Sequence, residues 1–301
     1  MSGSLPEVFV TIKHRALLAF ILGAVLIGCS PLFVRWSETG PVATAFYRIF
    51  LALPLLVLFL RWTEHSRPHD AMLPTALRDR WLLVIAGVMF ACDLGVWHWS
   101  IVLTSVANAT LFANLAPLFV TVGAWLLFKE SIARSFWLAL ALGLSGMMLM
   151  FADSAALSSR YLVGDSLGVL TAVFYGGYIL AVSRARRHVS TARIMVWSGA
   201  ITAIVLLPVA LLSGEQLLPV TATGWLTLFG VALVSQAAGQ TLIAYALAHL
   251  PAAFSSLTLL VQPIVAMLLA WLLLGEAMDA QQLSGAALVL SAILLARRRV
   301  A

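Results

Sequence analysis

Two stretches, LAPLFVTVGAWLLFKE at residues 115–130 and LVQPIVAMLLAWLLLGE at residues 260–276, decide the fold. At a constant shift of 146 they pair Pro117 with Pro263, Trp125 with Trp271, Leu126 with Leu272, Leu127 with Leu273 and Glu130 with Glu276. A proline, a tryptophan and a glutamate held in one register mark a duplicated element, not two apolar segments alike by chance. Each copy is also apolar and long enough to belong to a membrane-spanning helix.

The composition extends that reading to the whole chain. Of 301 residues, 62% are hydrophobic and only 10% charged, with a mean hydropathy of +1.02, far outside the range of soluble domains. Apolar runs of about 20 residues predict ten helices, at 16–36, 41–60, 81–104, 106–128, 135–152, 164–183, 192–213, 223–247, 251–274 and 281–297. The net charge of +6 does not point to nucleic acid, because the basic residues lie in short clusters between apolar runs. With the first helix entering from the cytoplasm, Lys13, Arg15, Arg61, Arg67, Arg78, Arg80, Lys129, Arg134, Arg184, Arg186, Arg187, Arg193, Arg297, Arg298 and Arg299 all fall inside. Only Arg35 and Arg160 fall in outer loops, and Arg48 lies within a helix. Lys and Arg set topology, so both termini are expected in the cytoplasm and the protein in the inner (cytoplasmic) membrane.

The repeat divides the chain into two five-helix halves, 1–155 and 160–301. Five is odd, so the second half is expected upside down in the bilayer, the architecture of secondary transporters with a midplane site and alternating access. The stretch KHRALLAFILGAVLIGCS ends like a lipoprotein signal, but GCSPLFVRW carries the apolar run past Cys29, as a first transmembrane helix should. Cys29 and Cys92 lie in apolar runs with no CxxC pattern and are expected as free thiols.

The second copy, YALAHLPAAFSSLTLLVQPIVAMLLAWLLLGEAMDAQQLSGAALVLSAILL, resembles the repeat unit of the EamA family of the drug/metabolite transporter superfamily. The first copy, HWSIVLTSVANATLFANLAPLFVTVGAWLLFKESIARSFWLALALGLSGMMLM, is similar but has Lys129 where that family usually has glycine. Arg48, in FYRIFLALPLL, matches the family's second-helix arginine. The resemblance spans nearly the whole chain. It implies an all-α fold of ten spans, no cofactor, and export of amino acids, drugs or other metabolites, although some members of the family import. Within the family the likeness is to YddG-type exporters of aromatic and other amino acids.

An ionisable side chain in hydrocarbon costs at least about 2.5–3.5 kcal/mol, so each one needs a cavity or a partner. In ACDLGVWHWS, residues 91–100, Asp93, Trp97 and Ser100 share one helix face, whereas His98 lies about 140° round. Asp93 can line a site and meet a substrate ammonium, pair with Arg48, or stay neutral by desolvation. Arg48 is open between a gating or structural role and substrate contact. His98 is either a proton carrier or a hydrogen-bonding filler. Trp97, Tyr175 and Tyr178 are the expected apolar contacts, and Asn108, Gln236, Gln240 and Ser255 the expected polar ones. Pro31, Pro117 and Pro263 each remove a helix bond and are the expected hinges.

The expected partners are therefore a small-molecule substrate, the lipid bilayer and, if Asp93 or His98 titrates, protons. The chain is expected to work as a monomer without cofactor or metal. GxxxxGK[ST] and HExxH are absent, which leaves an intramembrane enzyme using Asp93 and His98, or a channel, as remote alternatives to transport.

Overall fold

The computed structural model describes residues 5–66, 73–74, 76–104, 106–152, 161–275 and 278–297. Arg67, Arg160, Glu276, Arg298, Arg299 and the junction between the halves at 155–160 lie outside the described residues. Among the described residues, ten helical segments are long and apolar enough to cross a membrane: His14–Trp36, Pro41–Ser66, Leu77–Ser100, Asn108–Phe128, Arg134–Phe151, Leu162–Ala185, Thr191–Leu212, Ala222–Ala246, Ala252–Leu273 and Ala280–Arg297. They are referred to below as spans one to ten. The protein is thus an all-helical, multi-pass membrane protein with the ten spans its sequence predicts.

The ends of several helices differ from expectation. The helix of span two continues to Ser66 and that of span three begins at Leu77, several residues beyond their apolar cores. Helical backbone satisfies its own hydrogen bonds, so it can run past the hydrocarbon into polar surroundings that hydropathy alone reads as loop.

Four spans are broken, and each break has a proline just after it. Span one is interrupted at Cys29, before Ser30–Trp36. Span two breaks at Leu51 and Ala52, span four at Asn114 and Leu115, and span nine at Leu259 and Leu260. Pro31, Pro54, Pro117 and Pro263 sit at the second or third position of the helix that follows. A proline ring clashes with the carbonyl four residues back and offers it no N–H. For Pro54, Pro117 and Pro263 those residues are Phe50, Ala113 and Leu259, where the preceding helical turns stop.

The duplicated stretch carries a second local signature. Gly275 has φ of +70°, and Lys129, its counterpart 146 residues earlier, has φ of +54° at the end of its helix. Left-handed backbone is the usual helix stop and suits glycine; a lysine accepts it at a cost of about 1–2 kcal/mol. The first repeat therefore keeps the shape of the glycine it lacks.

Packing follows the repeat. Spans three and six contact each other heavily, as do spans one and eight; span four packs on six and span nine on one. Spans two and seven form a pair, and so do five and ten. Exchanging each span with the one five places along maps this set of contacts onto itself. Spans five and ten meet where a Cβ on either Gly146 or Gly285 would fall within 2.7 Å of the other's carbonyl oxygen.

The two halves also tie each other's helix starts. Oε2 of Glu215, before span eight, accepts from the backbone N–H groups of Val42 (2.9 Å) and Ala43 (3.1 Å) at the start of span two. Oε2 of Glu38, before span two, accepts from Val220 (2.8 Å) and Thr221 (3.0 Å) at the start of span eight, and Oε1 accepts from the Thr221 hydroxyl. Those bonds, the Thr221 hydroxyl foremost, hold the Glu38 carboxyl below the usual glutamate range. An anion at a helix start satisfies free N–H groups and the helix dipole together. At the opposite end of the bundle, Glu64 of span two pairs with Arg193 of span seven.

Candidate functional site

A cavity of about 710 Å3 lies between the halves, bounded by spans one to six and eight to ten. It runs from Gln240, past the middle of span eight, toward Arg35, Met278 and Gln282 at the end that carries Glu38. Toward the Glu64 end, spans four, six and nine close over buried Val120, Leu180, Leu257 and Leu260. The walls are largely apolar, with Phe90, Leu94, Trp97, Phe151 and Met267 among them.

An acid and a base face each other in this space, and a second base, Arg35, lies toward its Glu38 end. Arg48 on span two donates from Nε to Gln236 Oε1 (3.2 Å) and from Nη1 to Ser30 Oγ (3.2 Å), with its guanidinium 6.0 Å from the Phe90 ring centroid. Asp93 on span three is 8% exposed and makes no hydrogen bond among the described residues. The two interact electrostatically across the cavity without an ion pair within 4.0 Å. The broken first span supplies Ser30, and the break ahead of Pro31 is what brings that hydroxyl to Arg48. Phe90, Tyr178 and Tyr175 stack in sequence behind the charges, with centroid separations of 4.6 and 6.0 Å.

Of the residues singled out in the sequence, Asp93, Trp97, Tyr175, Gln240, Arg48, Pro31, Pro117 and Pro263 line the cavity. Tyr178, Asn108, Gln236 and Ser255 do not, each for a local reason. Tyr178 is 1% exposed and sandwiched between Phe90 and Tyr175, so only Tyr175 of the pair meets the open space. Asn108 is sealed at the Glu38 end, where Nδ2 donates to Asp165 Oδ1 (2.9 Å) beside Thr104 Oγ1 (2.7 Å). Gln236 is taken up in holding Arg48. Ser255 faces the packed interior, with Oγ lacking a partner, while its neighbour Ser256 lines the cavity.

His98 lies off the cavity, as the helical angle from Asp93 requires. It is 2% exposed, with Nδ1 bonded to the Leu94 carbonyl oxygen and the ring edge-on to Trp97. Cys29 and Cys92 are free thiols.

Sequence reasoning missed two features. Residues 231–240, which carry Gln236 and Gln240, form a π-helix inside span eight, a widened turn common at functional sites. The other is Asp165, which reads in the sequence as an ordinary acid in a first helical turn and in fact gathers Thr104 and Asn108 across spans three, four and six. A proline-free stretch of small residues such as VSQAAGQ gives no local signal for a π turn.

Ten apolar spans in paired halves around a mixed polar and aromatic cavity define a membrane transport protein. The pattern of the EamA-like transporter family matches residues 14–152 and 162–298, once in each half. The chain belongs to that family. It is 28% identical over 280 residues to an uncharacterised transporter of Archaeoglobus fulgidus, covering 93% of this chain and 95% of that protein. It is 26% identical over 289 residues to the pseudopaline exporter CntI of Pseudomonas aeruginosa, covering 95% and 97%. A probable terminal-alkyne amino-acid exporter of Streptantibioticus cattleyicolor is 28% identical over 205 residues, 67% of each chain. One solved crystal structure superposes with a TM-score of 0.79 at 17% identity, over 95% of this chain and 99% of that one, and shares the fold. The family and these relatives are named as transporters or exporters, not as enzymes, in agreement with the sequence reading.

Proposed function

We propose that this protein is a secondary transporter of the inner membrane that exports small metabolites, foremost amino acids with aromatic or bulky apolar side chains, by alternating access between inverted halves. The observation that carries this reading is a cavity holding an acid, Asp93, opposite a base, Arg48, among aromatic walls, with a second base, Arg35, toward the Glu38 end. A zwitterion with an apolar tail complements all three features, and an ammonium beside Asp93 and Trp97 gains both ionic and cation–π attraction. The names of the pseudopaline and alkyne amino-acid exporters support the same class of cargo.

The charge distribution supports cytoplasmic termini, and the odd number of spans per half then supports inversion. Under this topology the Glu38 end is outside and the cavity is open outward. The breaks ahead of Pro117 and Pro263, in repeat-related spans, are the places where spans four and nine bend as access alternates. Asp93 is the carboxylate available for proton coupling, while His98, buried against the Leu94 carbonyl, is placed to hold its helix. The transport unit is the monomer, because each chain already contains both halves.

The test is uptake into proteoliposomes of labelled phenylalanine, tryptophan, threonine and a quaternary-ammonium dye, with and without an imposed pH gradient. Saturable uptake of the aromatic amino acids is the expected result. Dye uptake without amino-acid uptake assigns the protein to multidrug export instead, and rates that stay flat from about pH 5 to 8 exclude proton coupling.

A further inference from the structure

The polar groups of the cavity are unevenly distributed. Among the described residues its one acid is Asp93, whereas several of the remaining polar groups are donors left without a well-formed hydrogen bond. Gln262 Nε2 and Thr171 Oγ1 are buried without a hydrogen-bond partner among the described residues, Gln240 Nε2 meets the Tyr175 and Tyr178 phenols only outside good hydrogen-bond geometry, and all three residues line the cavity. Arg48 uses Nε and Nη1 on Gln236 and Ser30, and its Nη2 makes no hydrogen bond among the described residues. A buried donor without an acceptor is costly, more so when it is charged, so a group of them is a place for an acceptor from outside the protein. Gln236, held by Arg48, and Gln240, four residues on, fall on one side of the π-helical segment, which sets the guanidinium and the Gln240 amide on the same wall.

We propose that Arg48, Gln240 and Gln262 form a carboxylate-binding subsite and that a free carboxylate, more than the ammonium, anchors the cargo. This deepens the amino-acid reading above and rests on it. A carboxylate presents about four lone-pair positions, enough to take up Arg48 Nη2 and both amide N–H2 groups. Asp93 is then the weaker, second anchor, which selects among carboxylates for those that carry an amine. The aromatic wall of Phe90, Trp97 and Tyr175 receives the apolar tail.

Four compounds separate the parts: phenylalanine, 3-phenylpropionate (no amine), phenethylamine (no carboxylate) and phenylalaninamide (carboxylate neutralised). Each is titrated against the purified protein by intrinsic tryptophan fluorescence and against labelled-phenylalanine uptake in proteoliposomes. In both assays 3-phenylpropionate should bind about tenfold or more tighter than phenethylamine and phenylalaninamide, the loss expected when buried donors go unpaired. Gln240→Glu, which sets a charge against the bound carboxylate, should abolish 3-phenylpropionate binding and spare phenethylamine. Arg48→Lys, which keeps the charge but not the fork, should weaken the two carboxylates about tenfold and leave the two amines unchanged.

Phenethylamine binding as tightly as phenylalanine, with 3-phenylpropionate silent, overturns the proposal and makes Asp93 the anchor. An unchanged ligand order in both variants overturns it as well. The amino-acid reading fails differently: 3-phenylpropionate then still binds by fluorescence while labelled phenylalanine is not transported.

Discussion

Asp93→Asn lowers the efficiency of phenylalanine transport by about tenfold to a hundredfold, while the purified protein melts no earlier than the native one. The loss corresponds to one charge-assisted hydrogen bond to the substrate ammonium, about 1.5–3 kcal/mol. The unchanged melting follows from the structure: the carboxylate makes no hydrogen bond among the described residues, and Arg48 is held by Gln236 and Ser30 instead. Asparagine fills the same volume, so the cavity wall keeps its shape. Initial rates in proteoliposomes and a melting curve in detergent check the two halves of the prediction. Preserved transport with a lowered melting temperature makes Asp93 a structural partner of Arg48 and removes it from the substrate site. The same substitution should bring phenylalanine and 3-phenylpropionate to nearly equal affinity, because the amine then has nothing to meet.

Gly285→Val has the largest expected effect on stability. A Cβ at Gly285 would stand 2.6 Å from the Gly146 carbonyl oxygen and 2.8 Å from the backbone nitrogen of Met150. Both obstacles are backbone, so relief requires spans five and ten to separate along a contact that is among the most extensive in the bundle. Overpacking of this kind costs about 1–3 kcal/mol, and a β-branched residue is at the upper end. The expected outcome is a melting temperature lower by several degrees and loss of monodisperse protein. Gly95→Ala is the matched control, since a Cβ there has no neighbour nearer than Leu206 Cδ2 at 3.9 Å and a helix interior favours alanine. Equal melting of the two variants contradicts the close approach of Gly146 and Gly285.

The architecture was legible because its signals are long and one-dimensional. Each span is a run of apolar residues of fixed minimum length, and the repeat announces itself through Pro117, Trp125 and their partners at one shift. Pro31, Pro117 and Pro263 marked three of the four breaks because a proline removes a helix N–H, although Pro208 sits inside the unbroken helix of span seven.

The facing of side chains was far less legible. A span that meets lipid on one side and protein on the other is apolar all round, so hydropathy gives no phase for the helix. Hence Tyr175 and Tyr178 looked equivalent, though one lines the cavity and the other is packed under it. Ser255 and Ser256 differ by one position, and only the bundle decides which of them meets the cavity. Asn108 was assigned to the cavity because it is a polar residue on one of the repeat-related spans, while its partner, Asp165, lies 57 residues away. Asp93 and His98 could be told apart because a single helical angle separates them, whatever the neighbours.

The central claim is that cargo passes through the cavity between the halves, and a thiol at its wall tests that most directly. Trp97→Cys, in a protein with Cys29 and Cys92 replaced by serine, is treated with a membrane-impermeant thiol reagent during phenylalanine counterflow. The account predicts labelling from the Glu38 side of the membrane, slowed by saturating phenylalanine, with counterflow falling in step with modification. Counterflow that continues at full rate in fully labelled protein would contradict it.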